Sequence, residues 1–338
     1  MSHPRRAVRA LALLILVVAA GLVGFSLVSR LVSAPYKGFS GPEVFVDVPR
    51  GTSVPEIGRI LYRAGVVSHP RLFAWYVRLS YPTSSMKAGE YRFDRASSMP
   101  DVARKLSRGE VYVVKVTIPE GFSRTDIVDL LERTGIGTRE GLMAATRDTR
   151  AIARLDNRAT DLEGYLFPDT YFFSRRVSEK EVFDRMVSRF LRIWTPERQT
   201  KARELNMTPR EVVTLASLIE KETALPTERQ LVSAVFHNRL QRNIPLGSDP
   251  TVIYGVKLVK PYDGVINQSD LKLDSPYNTY LYYGLPPGPI ASPGLASIDA
   301  ALEPAKVDYL YFVSRNDGSH LFTDNYQAHL RAVRQYQR

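Results

Sequence analysis

A glutamate set at the edge of an apolar helix face can act as a proton donor, and residues 208–222 place one there. Thr208-Pro209-Arg210-Glu211 reads as a helix start: Thr208 caps, Pro209 suits the first helical position, and Glu211 completes a capping box. Val212, Leu215, Ala216 and Ile219 then recur at i, i+3, i+4 and i+7, which is one apolar face. On the helix surface Glu220 falls between Ala216 and Val213, flanking that face. Lys221 points to the far side, and Glu222 lies on the other flank near Leu215. A carboxyl group against apolar walls loses hydration and its charged form is disfavoured, so its pKa climbs from about 4.3 toward 6 or above. Such a group can protonate the leaving oxygen of a glycosidic bond. The same spacing also fits a solvated helix glutamate or an ion-pair partner.

Three further clusters accompany it. Glu163-Gly164-Tyr165-Leu166-Phe167-Pro168-Asp169-Thr170-Tyr171 mixes aromatics with carboxylates. Ser248-Asp249-Pro250-Thr251-Val252-Ile253-Tyr254-Gly255 reads as a turn entering a short helix or strand. Ser275-Pro276-Tyr277-Asn278-Thr279-Tyr280 leads into Gly284-Leu285-Pro286-Pro287-Gly288-Pro289-Ile290, a loop too rich in Pro and Gly for regular structure. Tyr277, Asn278, Tyr280, Tyr282 and Tyr283 offer flat faces and hydrogen-bonding tips, which suit sugar rings with apolar faces and hydroxyl rims; packing of the loop onto the core is the other use for them. A second helix is expected from Thr227, with Gln230 as its capping partner, through Val235 and Phe236 to about Arg242. It carries Asn238 and Arg239, and Arg239 is expected to pair with Glu222 or Asp249. The short link at 224–226 makes the two helices neighbours.

The elements that must position these groups are bounded by composition. At 338 residues the chain is expected to hold two folded domains, and 44% apolar with 24% charged residues is ample for a core. Absence of cysteine excludes disulfides, thiolate metal sites and a cysteine nucleophile, and the five histidines form no H-E-x-x-H, so zinc chemistry is not expected. A net charge of +11 favours an anionic partner. Ala10–Ser29 is free of charge, follows Arg5, Arg6 and Arg9, and is long enough to cross a bilayer. Read as an uncleaved single-pass anchor at 10–30, with residues 1–9 cytoplasmic by the positive-inside bias, it leaves the remainder outside the bacterial inner membrane, in the periplasm or at the outer face. Nucleic acid is then an improbable partner, and an anionic wall polymer or lipid surface a better one. An internal repeat follows: Val48-Pro49-Arg50-Gly51-Thr52-Ser53 returns as Ile118-Pro119-Glu120-Gly121-Phe122-Ser123, and Ile57, Leu61, Arg63 and Gly65 align with Ile127, Leu131, Arg133 and Gly135. Each unit reads as a strand (44–48 and 111–118), a turn, and a short helix capped by Ser53 or Ser123. A weaker third unit runs from Glu90 to Leu106. The expectation is a small α+β region at 41–145.

Taken in order, Ala216-Ser217-Leu218-Ile219-Glu220-Lys221-Glu222-Thr223, Val235-Phe236-His237-Asn238-Arg239-Leu240, Asp249–Tyr254, the Glu163–Tyr171 stretch, Tyr277-Asn278-Thr279-Tyr280 and the Gly284–Pro289 loop resemble the YceG-like family over nearly the whole chain. Gly247 stands where that family usually has Gln, and Ala291-Ser292 where it often has Ser-Asn. The resemblance implies an α+β protein with an N-terminal transmembrane helix, a LysM-like region at 41–145 and a mixed α/β catalytic domain at 146–338. It implies a membrane-bound lytic transglycosylase that cuts within nascent glycan strands of peptidoglycan and leaves 1,6-anhydro ends, without metal or organic cofactor. Wall-synthesis enzymes are natural partners for such an anchored protein, although no motif names one. The family's catalytic glutamate, the first of the I-E-K-E-T run, corresponds to Glu220. Glu163 and Asp169 would hold sugar hydroxyls or stabilise a cationic centre, and Asp249 and Thr251 would orient the acid or the sugar's 6-hydroxyl. Tyr165, Asn238, Tyr254, Tyr277, Asn278 and Tyr280 complete the expected substrate groove.

Overall fold

Residues 4–82 and 86–337 are described by the computed structural model, in two compact units divided between Val113 and Val114. Residues 1–3 of the expected cytoplasmic segment, 83–85 within the expected region at 41–145, and Arg338 lie outside the described residues. In the first unit α1 (Pro4–Ser33) contains, over Leu11–Ser33, a stretch of mean hydropathy 2.8 with most of its side chains exposed, the one helix among the described residues long and apolar enough to cross a membrane. Its end is anchored, because Val32 is buried in the core of that unit. The core forms under β1 (Val44–Val48), which pairs antiparallel with β2 (Gly89–Phe93), Val46 opposite Tyr91. Between and after them run α2 (Val54–Arg63), α3 (Pro70–Ser80) and α4 (Met99–Arg108). Ile57 and Leu61, Phe73 and Val77, and Val102 and Leu106 are the inward positions of these helices, at the spacing of one helical face. Ser98 caps α4 by accepting the Asp101 N–H, whereas Ser53 makes no side-chain cap on α2, whose first turn relies on Pro55.

The second repeat does not join this sheet. The strand expected over 111–118 narrows to β3 (Val114–Thr117), and it pairs antiparallel with β4 (Thr170–Phe173), Val116 opposite Tyr171. The Thr117 and Thr170 hydroxyls meet at 2.9 Å, and the Ile118 N–H continues the ladder onto the Asp169 carbonyl. The expected single region at 41–145 is therefore divided: β1–α2 belongs to the first unit, β3 with α5 (Arg124–Arg133) and α6 (Arg139–Ala145) to the second. The local similarity is nonetheless real, since Ser123 and Asp126 form the capping box of α5. A repeated strand–turn–helix sequence fixes local geometry, while the strand's partner is chosen by the apolar face it must cover.

In the second unit α7 (Glu179–Ile193) buries Phe183, Met186, Val187 and Phe190, with Tyr165 edge-on to Phe190 at 5.2 Å. After α8 (Pro196–Glu204) comes α9 (Pro209–Glu222), opened by the capping box of Thr208 and Glu211. Its sequence suggested one apolar face; instead every residue from Val212 to Ile219 is buried. The reason is packing on several sides, by α8, α10 (Arg229–Gln241), α11 (Asp249–Val259) and α13 (Leu295–Leu302). The two hydroxyls within that stretch are satisfied internally: Thr214 donates to the Arg210 carbonyl, and Ser217 donates to the Thr214 carbonyl while accepting the Ile290 N–H. Helix α10 begins at Arg229 rather than at Thr227, because the Glu228 carboxylate is turned inward to other partners. Helix α12 (Gln268–Leu271) is a single turn, and the chain ends with the hairpin β5 (Tyr311–Ser314) and β6 (His320–Thr323) under α14 (Tyr326–Tyr336).

One buried ion pair braces the start of α9. The Asp156 side chain, 2% exposed, accepts from Arg210 Nη1 at 2.5 Å and from the Tyr165 hydroxyl at 2.8 Å. Asp156→Ala would leave a largely buried guanidinium and a buried hydroxyl without their acceptor, and is expected to destabilise the second unit by about 3–5 kcal/mol in urea unfolding. Asp156→Asn, which keeps an acceptor oxygen, should cost less.

Candidate active site

The two glutamates of the I-E-K-E-T run diverge because they sit 200° apart on the helix. Glu220, 8% exposed, accepts the Gly294 N–H at 2.9 Å, with Arg229 Nη2 4.0 Å from its other oxygen. This fastens the end of α9 to the start of α13. Glu120, from the Pro-Glu-Gly turn, also approaches here: a Cβ built on Gly294 would lie 2.0 Å from its carboxyl oxygen, so a side chain at 294 would force that flexible carboxyl to move aside. Burial and the charge of Glu220 together push the Glu120 carboxyl above the usual range. Lys221 is exposed, as its position on the helix implied, and reaches the Gly121 carbonyl.

Glu222, on the other flank, lines a cavity of about 490 Å³ with Arg239, Gly247, Asp249, Tyr280 and Tyr311. Phe312, Tyr326 and His329 close its far side. Part of Glu222 faces this space, but its carboxyl lies deep in the protein, and burial raises its pKa to about 7. The negative charge of Asp249 pushes the same way; the Ser248 hydroxyl, which donates to Glu222, and the cationic forms of His320 and Arg239 pull back. Position adds to this, since a carboxylate at the last residue of a helix faces the negative end of the helix dipole. A carboxyl group poised near neutrality at a cavity wall can give and retake a proton.

Of the expected groove residues, Asp249 and Tyr280 join Glu222, and the Tyr280 hydroxyl donates to Asp249 at 2.7 Å. Thr251 stands behind them, buried, its hydroxyl shared between the Ser248 carbonyl and Thr279. Asn278 is buried too: its amide donates to the Leu271 and Leu273 carbonyls, and its oxygen accepts the Tyr280 N–H, which fixes the loop bearing Tyr280. Asn238 binds the Val307 and Tyr309 carbonyls before β5, and Arg239 directs its donors to the Leu310, Leu246 and Pro245 carbonyls instead of a carboxylate. Both hold the terminal hairpin in place.

Glu163, Tyr254 and Tyr277 form a separate cluster. Glu163 accepts the Arg124 N–H at 2.9 Å and the Tyr254 hydroxyl at 3.1 Å, and the Tyr254 and Tyr277 rings lie 4.8 Å apart. Tyr165 is core, and Asp169 pairs with Arg189 at 2.7 Å. Sequence reasoning missed Tyr311, Tyr326 and His329 as cavity residues. Their aromatic spacing near the terminus was visible, but nothing local tied it to α9.

The sequence pattern of the YceG-like family matches residues 46–335. The chain belongs to the YceG-like family. An endolytic murein transglycosylase of Bacillus subtilis is 31% identical over 328 residues, covering 93% of this chain and 90% of that protein. One of the same name from Streptococcus pneumoniae D39 is also 31% identical, over 89% of this chain, which spans about 60% of that longer relative. A YceG-like protein of Listeria monocytogenes, solved at 2.6 Å, superposes with a TM-score of 0.59 at 30% identity, covering 86% of this chain and 99% of its own. Within this YceG-like chain, two carboxyls bear the marks of strong desolvation, Glu222 at the cavity and Glu163 in its enclosed cluster.

The buried Glu163 generates a stability prediction. Burial raises its pKa from 4.5 to about 7. Below pH 4.5 the group is neutral whether folded or not, and its contribution is fully present; as pH rises the unfolded chain ionises first, and stability is lost until the native group ionises near 7. Glu163→Gln removes that loss. Its unfolding free energy relative to the parent should therefore rise between these limits and level off above them, with a plateau on the order of 1–3 kcal/mol in urea unfolding.

Proposed function

We propose that the chain is a membrane-anchored peptidoglycan lytic transglycosylase whose single acid and base is Glu220. The observation that carries this reading is a carboxyl only 8% exposed at the first glutamate position of the I-E-K-E-T run, in a chain whose relatives are named endolytic murein transglycosylases. The Gly294 N–H and the Arg229 guanidinium orient it, while Glu222, two residues on, lines a cavity with Asp249 and Tyr280.

Protonated Glu220 donates to the oxygen linking N-acetylmuramic acid to N-acetylglucosamine. As that bond breaks, an oxocarbenium-like centre develops at muramic C1. The resulting Glu220 carboxylate takes the proton of the same sugar's 6-hydroxyl, whose oxygen bonds to C1 and closes the 1,6-anhydro ring. No water is consumed, and tethering of the nucleophile favours closure over attack from solution. Asp249 and Tyr280, joined at 2.7 Å, and Tyr311 offer hydrogen-bonding groups and ring faces to the sugars. The apolar stretch at Leu11–Ser33 serves as the single-pass anchor, with the amino terminus cytoplasmic and the second unit outside, where nascent strands are polymerised. A cut within such strands would set their length.

The test is digestion of purified peptidoglycan with product analysis by mass spectrometry. Glu220→Gln, which keeps an oxygen for the Gly294 N–H, should retain the fold by circular dichroism and lose release of anhydromuramic fragments by about a thousandfold. Glu222→Gln should retain activity within about tenfold. The reverse ranking would move the acid to Glu222. Fragments with reducing muramic ends would instead make Glu220 and a second carboxylate, Asp249 or Glu163, the pair of a hydrolase.

A further inference from the structure

The internal repeat puts the same turn into the chain twice, and the second copy lies against Glu220. Gly51 and Gly121 have matching left-handed conformations, φ +79° and +74°, but Arg50 of the first turn is replaced by Glu120 in the second. A Cβ built on Gly51 would meet nothing, whereas one on Gly121 would touch the Glu220 side chain at 3.6 Å. This second turn is pinned from two directions. The Gly121 N–H donates to the Ser292 carbonyl at 2.9 Å, and the Ser292 N–H returns to the Phe122 carbonyl at 2.8 Å. Lys221 Nζ donates to the Gly121 carbonyl at 3.3 Å. The Glu120 carboxyl then fills the space beside Gly294, the residue whose N–H holds Glu220 at 2.9 Å, so the two carboxyls meet at one glycine. Glu220 is 8% exposed, while Glu120 is an exposed residue and forms the solvent side of the pair. Glu120 has no hydrogen bond or ion pair of its own among the described residues. Arg229 is the cation that acts on both carboxyls.

We propose that Glu120 is a second catalytic carboxylate, which faces the reacting sugar and stabilises the positive charge that develops at C1 as Glu220 gives up its proton. The inference rests on the reading of Glu220 as the acid and leaves both proton transfers to it. The glycosidic C1–O bond breaks as the Glu220 proton passes to the leaving oxygen. The 6-hydroxyl oxygen then bonds to C1 and its proton returns to Glu220, while Glu120 forms no covalent bond. Charge balance favours this division of labour. One guanidinium balances one of two carboxylates, so the group is neutral while Glu220 holds its proton. When that proton leaves, the cation at C1 restores the balance. Burial and the charge of Glu220 raise the Glu120 pKa and Arg229 lowers it, as expected of a carboxyl short of counter-charge. An unbonded carboxylate on a pinned turn also needs no rearrangement to meet that cation. The acids first expected in this role are engaged elsewhere, Glu163 by the Arg124 N–H and the Tyr254 hydroxyl, and Asp169 by Arg189.

The experiment follows release of anhydromuramic fragments from purified peptidoglycan by the full chain in detergent, and extracts kcat and KM. Glu120→Gln keeps the shape and removes the charge; kcat should fall about a hundredfold with KM within about threefold, because the interaction is made in the transition state. Its urea midpoint should stay at the parent's, since no hydrogen bond is lost. Glu120→Asp, with the charge on a shorter arm, should recover part of the rate. Gly294→Ala approaches the same carboxyl independently: φ −73° suits alanine, but the added methyl displaces Glu120. It should lower kcat in the parent and cost little more in the Glu120→Gln background, as one shared interaction requires. A Glu120→Gln kcat within about threefold of the parent's, or a loss that only tracks the folded fraction, would overturn the inference. So would a full multiplication of the two losses in the double variant. Glu220→Gln run alongside separates the two claims. If it stays active, the acid is misassigned; if it is dead while Glu120→Gln matches the parent, only the second carboxylate falls.

Discussion

A carboxyl group at the C-terminal end of a buried helix cannot hold its charge cheaply, and the second unit is organised around that constraint. Glu222 closes α9, where the helix's unpaired carbonyls carry negative partial charge. Asp249 adds a further negative charge, and the surrounding protein removes water. The Ser248 hydroxyl and the more distant cations offset part of this, leaving the group near pH 7 instead of fully suppressed. A helix buried on one stripe would not serve, because solvent would reach its end. The complete burial of Val212–Ile219 carries apolar packing up to the last turn of the helix.

Glutamates two residues apart take opposite roles for the same geometric reason. One turn of the wheel brings Glu220 to a backbone N–H and a guanidinium, and the other brings Glu222 to a cavity. Glycine at 294 leaves room beside that contact for the Glu120 carboxyl, which a side chain there would displace. The Gly164 turn is a second close approach: its φ is +80°, and a Cβ would fall 2.4 Å from the Pro289 ring, so the Glu-Gly-Tyr segment and the Pro-Gly-Pro loop interlock only as glycine permits.

Local chemistry in the sequence was enough to place many elements. The Thr208–Glu211 capping box announced α9, the Ser123 repeat announced α5, and the charge-free run from Ala10 announced a helix of membrane length. What local pattern could not supply was partnership. β3 pairs with a strand more than fifty residues later rather than with the strand its repeat resembles, and that choice depends on which apolar faces remain uncovered once α7 and α9 are packed. The site failed to be legible in the same manner. Wheel geometry put Glu220 and Glu222 on two flanks of one stripe and gave no ground for ranking them; only the arrival of Ser248 on one side and Gly294 on the other distinguishes them. Several polar residues read as sugar contacts, Asn238 and Asn278 among them, hold backbone carbonyls of loops instead, because a long irregular loop next to a cavity needs its buried carbonyls and amides satisfied.

The cavity's far side is built from Tyr311, Phe312, Tyr326 and His329, all within the last thirty residues of the chain. During synthesis α9 is therefore finished well before the wall that faces Glu222. A nascent polypeptide presents that carboxyl to water, where its proton is lost at ordinary carboxylic strength. Its affinity for a proton is in this way a property of the completed fold, acquired when the terminal hairpin and helix have been threaded across and docked.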